Sequence, residues 1–274
     1  MAIITLLTDF GIEDAYVGIV KGVILSVNSS ARIIDITHNI APGDVFRAAY
    51  LLETAYGYYP SGCLHVVVVD PGVGSSRGIV ALEMDGHRFL APNNGVLSAV
   101  LSKGSEVRSV SVENSRYFLS PLSRTFHGRD IFAPVAAHLS SGMDMNKLGP
   151  AMNRHDLISL PVPEPVFTEA PGIVGAVVAM DRFGNLITNI REGDLSGIYE
   201  QIQSGQLAIQ IGDRVIGGLS DTYESVAYGA PLALIGSTGR LEISVNGGSA
   251  GLVFDAGPGE VVRVGKIQAM RTPK

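Results

Sequence analysis

The chain has 274 residues, 46% of them hydrophobic and 17% charged, which suits a folded protein with one large core or two domains and excludes a disordered one. A net charge of -6, a pI near 5.5 and the lack of any lysine or arginine run leave no electrostatic footprint for nucleic acid and point to small-molecule partners. The single cysteine, Cys63, rules out an intrachain disulfide framework and a thiolate zinc site, and no apolar run reaches the about 18 residues of a spanning helix. With no basic leader ahead of Asp9, Glu13 and Asp14, the expected location is cytoplasmic.

Residues 3–7 form a first strand of β-branched and aliphatic residues, which ends in the polar turn Thr8-Asp9-Phe10-Gly11. Residues 14–27 read as a helix because Val17, Val20, Ile24 and Val27 fall at helical spacing, and Asn28-Ser29-Ser30 stops it. A second strand covers 32–37. The loop after it leads to Asp44, an N-cap for a helix through about Tyr56 that Gly57 and Pro60 end. Residues 65–78, HVVVVDPGVGSSRG, then place four valines ahead of Asp70 and a glycine- and serine-rich loop that reaches Arg77. A run this apolar suits a strand covered on both faces of a sheet. Open α/β sheets take ligands outside the carboxyl ends of their strands, so Asp70 and Arg77 stand where a site is expected. A strand-end Asp capping its own turn, beside a surface cation, accounts for the same residues. Strand, helix, strand, helix, strand is the order of a mostly parallel sheet with helices on its faces.

Strands at 78–84 and 87–91 flank Asp85-Gly86, the strongest hairpin signal in the chain. The second strand runs into the polar turn Pro92-Asn93-Asn94-Gly95, a helix at 96–101 and a strand at 107–112. Thr125-Phe126-His127-Gly128-Arg129-Asp130 precedes a helix at 131–140, so His127 stands just before a helix amino terminus, facing a ligand or serving as a structural hydrogen-bonding group. Pro161, Pro163, Pro165, Pro171 and Gly172 mark an extended linker. The boundary is expected near residue 165, with an α/β domain over 1–164 and a smaller second domain over 165–274. In the latter the helix pattern almost disappears. Short runs at 173–179, 206–211, 214–216, 231–235, 241–245 and 261–267, divided by glycine turns, predict an antiparallel β-barrel or sandwich. The turns around Asp181 to Asn185, Gly236 to Gly239 and Asn246 to Ser249 face a ligand or are ordinary hairpin turns.

Six stretches taken in this order, TDFG at 8–11, DPGVGSSR at 70–77, APNNG at 91–95, FHGRD at 126–130, DRFGNLITNI at 181–190 and LEISVNGGSA at 241–250, together resemble the S-adenosyl-L-methionine (SAM) hydroxide adenosyltransferases. These are adenosine-forming SAM hydrolases related to the fluorinase and chlorinase. The resemblance covers nearly the whole chain and implies an α/β domain followed by a β-barrel. It implies attack of water or hydroxide on the ribose C5′ of SAM, with release of methionine and adenosine; SAM is then the substrate, and no cofactor or metal is expected. The family's Asp-Arg-His triad falls on Asp70, Arg77 and His127. Water, with a pKa of about 15.7, needs help to act as a nucleophile near neutral pH. Arg77 supplies fixed positive charge, His127 accepts or relays a proton, and Asp70 orients both. Methionine leaves from a sulfonium whose charge vanishes as the bond breaks, so no general acid is required.

By the same resemblance Asp9 takes the ribose hydroxyls, an acceptor pair suited to a vicinal diol. Asn185 and the backbone at Val245 read the adenine, with Phe183 and Tyr223 against its faces. Asp181, Ser237 and Glu242 take the amino-acid end, and Asp14 and Asn94 join the substrate contacts. A homotrimer is implied as well, its site lying between one subunit's first domain and the neighbour's second. Departures from the halogenating branch favour water: Asp70 and His127 are kept, Gly128 replaces a halide-contacting serine, and Gly43 replaces an aromatic. Residues 83–90 form only a tight hairpin, without the fluorinase insertion. A SAM-dependent halogenase is one alternative. Another is a SAM- or adenosine-binding module without turnover, which uses Asp9 and Asn185 but not the triad. A metallohydrolase built on His38, His65 and Asp70 is a third, without a supporting ligand spacing.

Overall fold

The computed structural model describes residues 3–104, 106–161, 164–169, 171–199 and 206–266. The chain divides into two compact units, Met1–Val162 and Pro163–Lys274. Among the described residues no helix is long and apolar enough to cross a membrane.

The first unit runs β1 (Ile3–Thr8), α1 (Tyr16–Val27), β2 (Arg32–Thr37), α2 (Val45–Ala55), β3 (Leu64–Val68), β4 (Ile79–Met84), β5 (His87–Pro92), α3 (Ser98–Leu101), β6 (Val107–Ser111), α4 (Ala133–Ser140) and β7 (Ala151–Met152). Its seven-stranded sheet has the order β2-β1-β3-β5-β4-β6-β7; β2, β1, β3 and β5 are parallel neighbours, and β4, β6 and β7 pair antiparallel. The valine run explains the layering. Val66 and Val68 share a core with Val20 and Ile24 of α1 and Leu139 of α4, whereas Val67 and Val69 share another with Leu52 of α2 and Val100 of α3. Helices therefore cover both faces of β3, as a continuous apolar strand requires.

Local chemistry sets the boundaries. Asp44 caps α2, its Oδ1 accepting the Arg47 N–H at 2.9 Å. Asp44→Ala is expected to cost about 1 kcal/mol of stability, read as a lower urea midpoint at unchanged slope. The helix expected from residue 14 begins at Tyr16, and Asp14 lies in the exposed turn before it. Asp85 and Gly86 take φ values of 50° and 77°, the left-handed pair of a type I′ hairpin turn between β4 and β5. The helix expected at 131–140 starts earlier, as a π-helical turn over Gly128–Phe132 that leads into α4. Pro134 has no N–H to give the Asp130 carbonyl four residues back, and that carbonyl instead accepts the Leu119 N–H at 2.8 Å.

The second unit runs β8 (Val166–Phe167), β9 (Gly172–Met180), β10 (Leu186–Arg191), α5 (Glu192–Tyr199), β11 (Leu207–Ile211), β12 (Arg214–Gly217), β13 (Pro231–Ile235), β14 (Arg240–Val245), α6 (Ala250–Phe254) and β15 (Val261–Lys266). Its antiparallel sheet, in the order β12-β11-β15-β9-β10-β14-β13 with β8 added beside β9, forms a nearly closed barrel. Leu207, Ile209 and Ile211 on β11 and Leu241, Ile243 and Val245 on β14 recur at every second residue and enter one core. Two expectations are corrected. Helices α5 and α6 fold where the helix pattern almost disappears, because eight and five residues are too few to show a periodic stripe. The stretch read as a linker contains β8, whose Val166 and Phe167 pair with Val174 and Ile173. Pro163 in that stretch and Ile267 at the end of the last run lie outside the described residues.

Candidate functional site

Parallel β1 and β3 set Thr8 opposite Val68, so the chain leaves both strands at one sheet edge and brings Asp9 toward Asp70. The loop after β3 then packs closely on the segment that leads to His127. Gly74 has a φ of 76°, and a Cβ there would lie 2.2 Å from the Arg124 carbonyl oxygen, so the approach requires glycine. This packing assembles Asp70, Arg77 and His127 into one hydrogen-bonded chain. Arg77 Nε donates to Asp70 Oδ1 and Oδ2 at 2.8 and 2.9 Å, and Arg77 Nη2 also bonds Asp70 Oδ2. The same Nη2 reaches His127 Nδ1 at 3.0 Å.

The Asp70 and Arg77 side chains are only 5% and 10% exposed, which makes this a desolvated ion pair. A guanidinium has donors alone, so the His127 Nδ1 it contacts carries a lone pair, and the network assigns a neutral imidazole protonated on Nε2. Burial first, then the Arg77 charge, lower the His127 pKa against the opposing pull of Asp70, Asp130 and the Ser123 backbone. Asp9 accepts the Gly43 N–H on Oδ2 at 2.8 Å, and burial, with the Asp70 charge adding to it, raises its pKa despite the backbone bonds. Asn94 donates to the Val69 carbonyl at 2.9 Å and accepts the Val96 N–H at 3.2 Å, holding the approach to Asp70. Asp14 is exposed, and among the described residues no hydrogen bond links it to Asp9 or to the triad.

All seven candidates of the second half line one cavity of about 620 Å³. Ligand pockets are commonly of this size. Asp181 builds the turn after β9: its Oδ1 accepts the Phe183 and Asn185 N–H groups at 2.9 Å each, and its Oδ2 accepts Asn185 Nδ2 at 2.9 Å. Phe183 is left 77% exposed, a ring with a face to offer. Glu242, buried on β14, accepts the Tyr223 hydroxyl at 2.7 Å and the Ser244 hydroxyl at 3.0 Å on Oε1. Burial, the Glu242 bond and the charges of Glu242 and Asp181 push the Tyr223 pKa up to about 12. Ser237 is exposed on the turn before β14, and the Val245 carbonyl at the end of β14 accepts the Gly248 N–H at 3.0 Å. Two buried or half-buried carboxylates, an amide and two aromatic rings suit a ligand that carries a cation and a flat ring. Gly247 and Gly248 complete the lining. Sequence reasoning named them only as turn residues, and their lack of side chains beside Val245 was the available signal.

The metallohydrolase set does not assemble. His65 pairs through Nδ1 with Thr5 Oγ1 at 2.8 Å and through Nε2 with His87 Nδ1 at 3.2 Å; burial and then His87 lower its pKa to about 3. His38 Nδ1 lies 2.8 Å from Thr8 Oγ1, and its Nε2 lies 3.1 Å from Asp35 Oδ1. Both imidazoles are committed away from Asp70. Among the described residues no group of three His, Cys, Asp or Glu is placed to hold a metal ion.

A mixed α/β unit with a carboxylate–guanidinium–imidazole chain, followed by a β-barrel unit with a carboxylate-lined cavity, defines the class as a two-unit α/β and β-barrel protein. The family model for the SAM hydroxide adenosyltransferase N-terminal domain matches residues 4–149, and that for the C-terminal domain matches residues 175–263. Among several curated relatives called (R)-S-adenosyl-L-methionine hydrolase, one from Salinispora tropica is 36% identical over 263 residues, which is 95% of this chain and 97% of its own. A fluorinase from an Actinoplanes species is more distant, 25% identical over 290 residues, with 96% of this chain and 97% of its own covered. The crystal structure of an uncharacterised conserved protein from Thermotoga maritima, 34% identical, matches with a TM-score of 0.88 over 96% of this chain and 99% of that one. This chain belongs to the SAM hydroxide adenosyltransferase family.

Proposed function

We propose that this chain is a SAM hydrolase that forms adenosine and L-methionine by attack of water or hydroxide on the ribose C5′. One observation carries the reading: the His127 Nδ1 lone pair and the Arg77 guanidinium face each other at 3.0 Å, and Asp70 holds the guanidinium from behind. A water that replaces this direct bond, with Nη2 and Nδ1 drawn apart, donates to Nδ1 and accepts from the guanidinium, so its oxygen gains hydroxide character beside a fixed positive charge. Methionine departs as a neutral thioether and needs no acid. A protein that only binds SAM has no use for such a chain. The relatives named (R)-S-adenosyl-L-methionine hydrolase support the same reaction.

In this reading Asp9 takes the ribose hydroxyls, with Asp14 and Asn94 as further substrate contacts. Asn185 and the Val245 backbone take the adenine edge, and Phe183 and Tyr223 take its faces. Asp181, Ser237 and Glu242 take the methionine end. SAM is the substrate, and no cofactor is assigned a step. Gly128 favours water over halide, because it lacks the hydroxyl that would contact a halide; a Cβ there would lie 3.0 Å from Phe10 Cζ and 3.3 Å from Phe126 Cε2, so a serine needs those rings to give by a few tenths of an ångström. The hydrolytic groups come from the first unit and the cavity from the second, and we assign them to one site between neighbouring subunits of a homotrimer. Co-expressed Arg77→Ala and Glu242→Ala chains then regain activity that neither has alone, and light scattering reads a trimer. The free, buried Cys63 suits the reducing cytoplasm, where we place the reaction.

The test is incubation of the purified protein with SAM, with and without chloride or fluoride, and separation of the products. Equal adenosine and methionine, independent of halide, is the expected result. A 5′-halogenated nucleoside instead would establish the halogenase, and retained SAM without product would establish the binding module. Asn185→Ala is expected to raise KM roughly tenfold at nearly constant kcat, since the base contact is the same in the ground and transition states.

A further inference from the structure

A buried carboxylate outside the triad lies on the turn that follows His127. Asp130 lies three residues further on, in the π-helical turn Gly128–Phe132, and is 1% exposed. Its Oδ2 accepts the Ser123 N–H at 2.7 Å. The Ser123 backbone lies on the side of the His127 imidazole where it favours the protonated ring. At the other end of the residue, the Asp130 carbonyl accepts the Leu119 N–H at 2.8 Å, the bond that Pro134 leaves open. Side chain and main chain of Asp130 thus both hold the 119–123 segment against the turn that carries His127. Arg129 closes the remaining side of the carboxylate, with Nε to Oδ1 at 2.6 Å and Nη2 to Oδ2 at 3.0 Å, and its guanidinium lies 5.3 Å from the Phe126 ring.

An ion pair with Arg129 alone would satisfy the charge of Asp130. The bond to Ser123 does something else, because it fastens a separate backbone segment to the turn from which the imidazole projects. A ring whose turn is held in this way has its orientation toward Arg77 set by the fold. We propose that Asp130 is a positioning residue, which ties the 119–123 segment to the turn that carries His127 and so holds the ring with the Nδ1 lone pair turned to Arg77. The inference rests on the reading of His127 as part of the hydrolytic machinery. The charged groups that face His127 are Arg77 and Asp70 from the loop after β3 and Asp130 from its own turn.

The experiment compares Asp130→Asn, which keeps the shape and an acceptor for Ser123, with Asp130→Ala, which keeps neither. The alanine variant is expected to lose roughly tenfold to a hundredfold in kcat at nearly constant KM, with asparagine in between. The acid limb of kcat/KM moves to lower pH in both, because a negative charge that favours the imidazolium is gone. ¹⁵N-labelled histidine spectra, with His127 assigned through His127→Gln, give the same readout without SAM: His127 is expected to titrate at lower pH in Asp130→Asn than in the natural protein. An unchanged His127 titration and pH profile in the folded Asp130→Ala variant, which keeps neither charge nor contact, overturn the proposal, whatever substrate the protein turns over. Where Asp130→Ala does not fold, Ser123→Pro removes the donor to Asp130, with Ser123→Ala as the control for the lost hydroxyl that accepts the Thr125 N–H; kcat falls further in the proline variant than in the alanine one if the proposal holds, and equal kcat values overturn it.

Discussion

Arg77→Ala loses SAM hydrolysis by roughly 10²-fold or more and destabilises the first unit by about 3–5 kcal/mol. Both effects have one origin. Asp70 is nearly buried and receives three of its hydrogen bonds from the guanidinium, so alanine leaves a desolvated carboxylate without its partner. The same change removes the fixed positive charge from the oxygen that is to become hydroxide. The measurements are a urea midpoint for stability and product formation under conditions where the variant is folded. The double variant Asp70→Asn/Arg77→Ala separates the two effects. It removes the stranded charge and recovers part of the stability, while turnover stays low, since no cation is restored. Wild-type turnover in Arg77→Ala would show that the ion pair is structural only.

His127→Ala is expected to lower kcat by roughly 10²-fold or more, the scale of a positioned acid-base group. Its cost in stability is small, because the ring gives Arg77 one hydrogen bond that water can replace. The active form is the neutral imidazole, and burial and then the Arg77 charge hold the His127 pKa below the usual 6.5. The sign follows directly. As pH falls, kcat/KM holds through 6.5 and drops only at the lower value where Nδ1 takes a proton. Arg77→Ala removes a cation that opposes protonation, so its residual activity has an acid limb at higher pH. His127→Ala has no such limb. A steep limb persisting in His127→Ala would assign it to another group, with Asp9 the nearest alternative.

Much of this architecture was legible in the chain because local chemistry and tertiary structure agree. The four valines demanded two covered faces and have them, Asp44 caps the helix it was expected to cap, and Asp85-Gly86 makes the type I′ turn. What was not legible depended on distant partners or on short elements. The π-helical turn before α4 arises from Pro134 together with Leu119, fifteen positions away, and no periodicity records that pairing. Helices α5 and α6 are announced mainly by caps: Asp194 accepts the Arg191 N–H at 2.7 Å, and Ser249 accepts the Leu252 N–H at 3.3 Å.

The candidate sites divide in the same way. The rule that ligands gather at carboxyl ends of parallel strands singled out Asp70, and parallel pairing of β1 with β3 explains why Asp9 stands near it. The contact of Arg77 with His127, fifty positions apart, needs the close approach of Gly74 to Arg124, which is a tertiary fact. Tyr223 and Glu242, nineteen positions apart, meet by a hydrogen bond in one cavity, and only the family resemblance grouped them beforehand. Asp130 was visible in the FHGRD motif, yet its bond to Ser123 required the fold.

The measurement that bears most directly on the central claim is the fate of the oxygen. SAM is turned over in water enriched in heavy oxygen, and both products are read by mass spectrometry. Attack of water on the ribose C5′ predicts label in the 5′-hydroxyl of adenosine and none in methionine. Adenosine without label, or no adenosine at all, would contradict it.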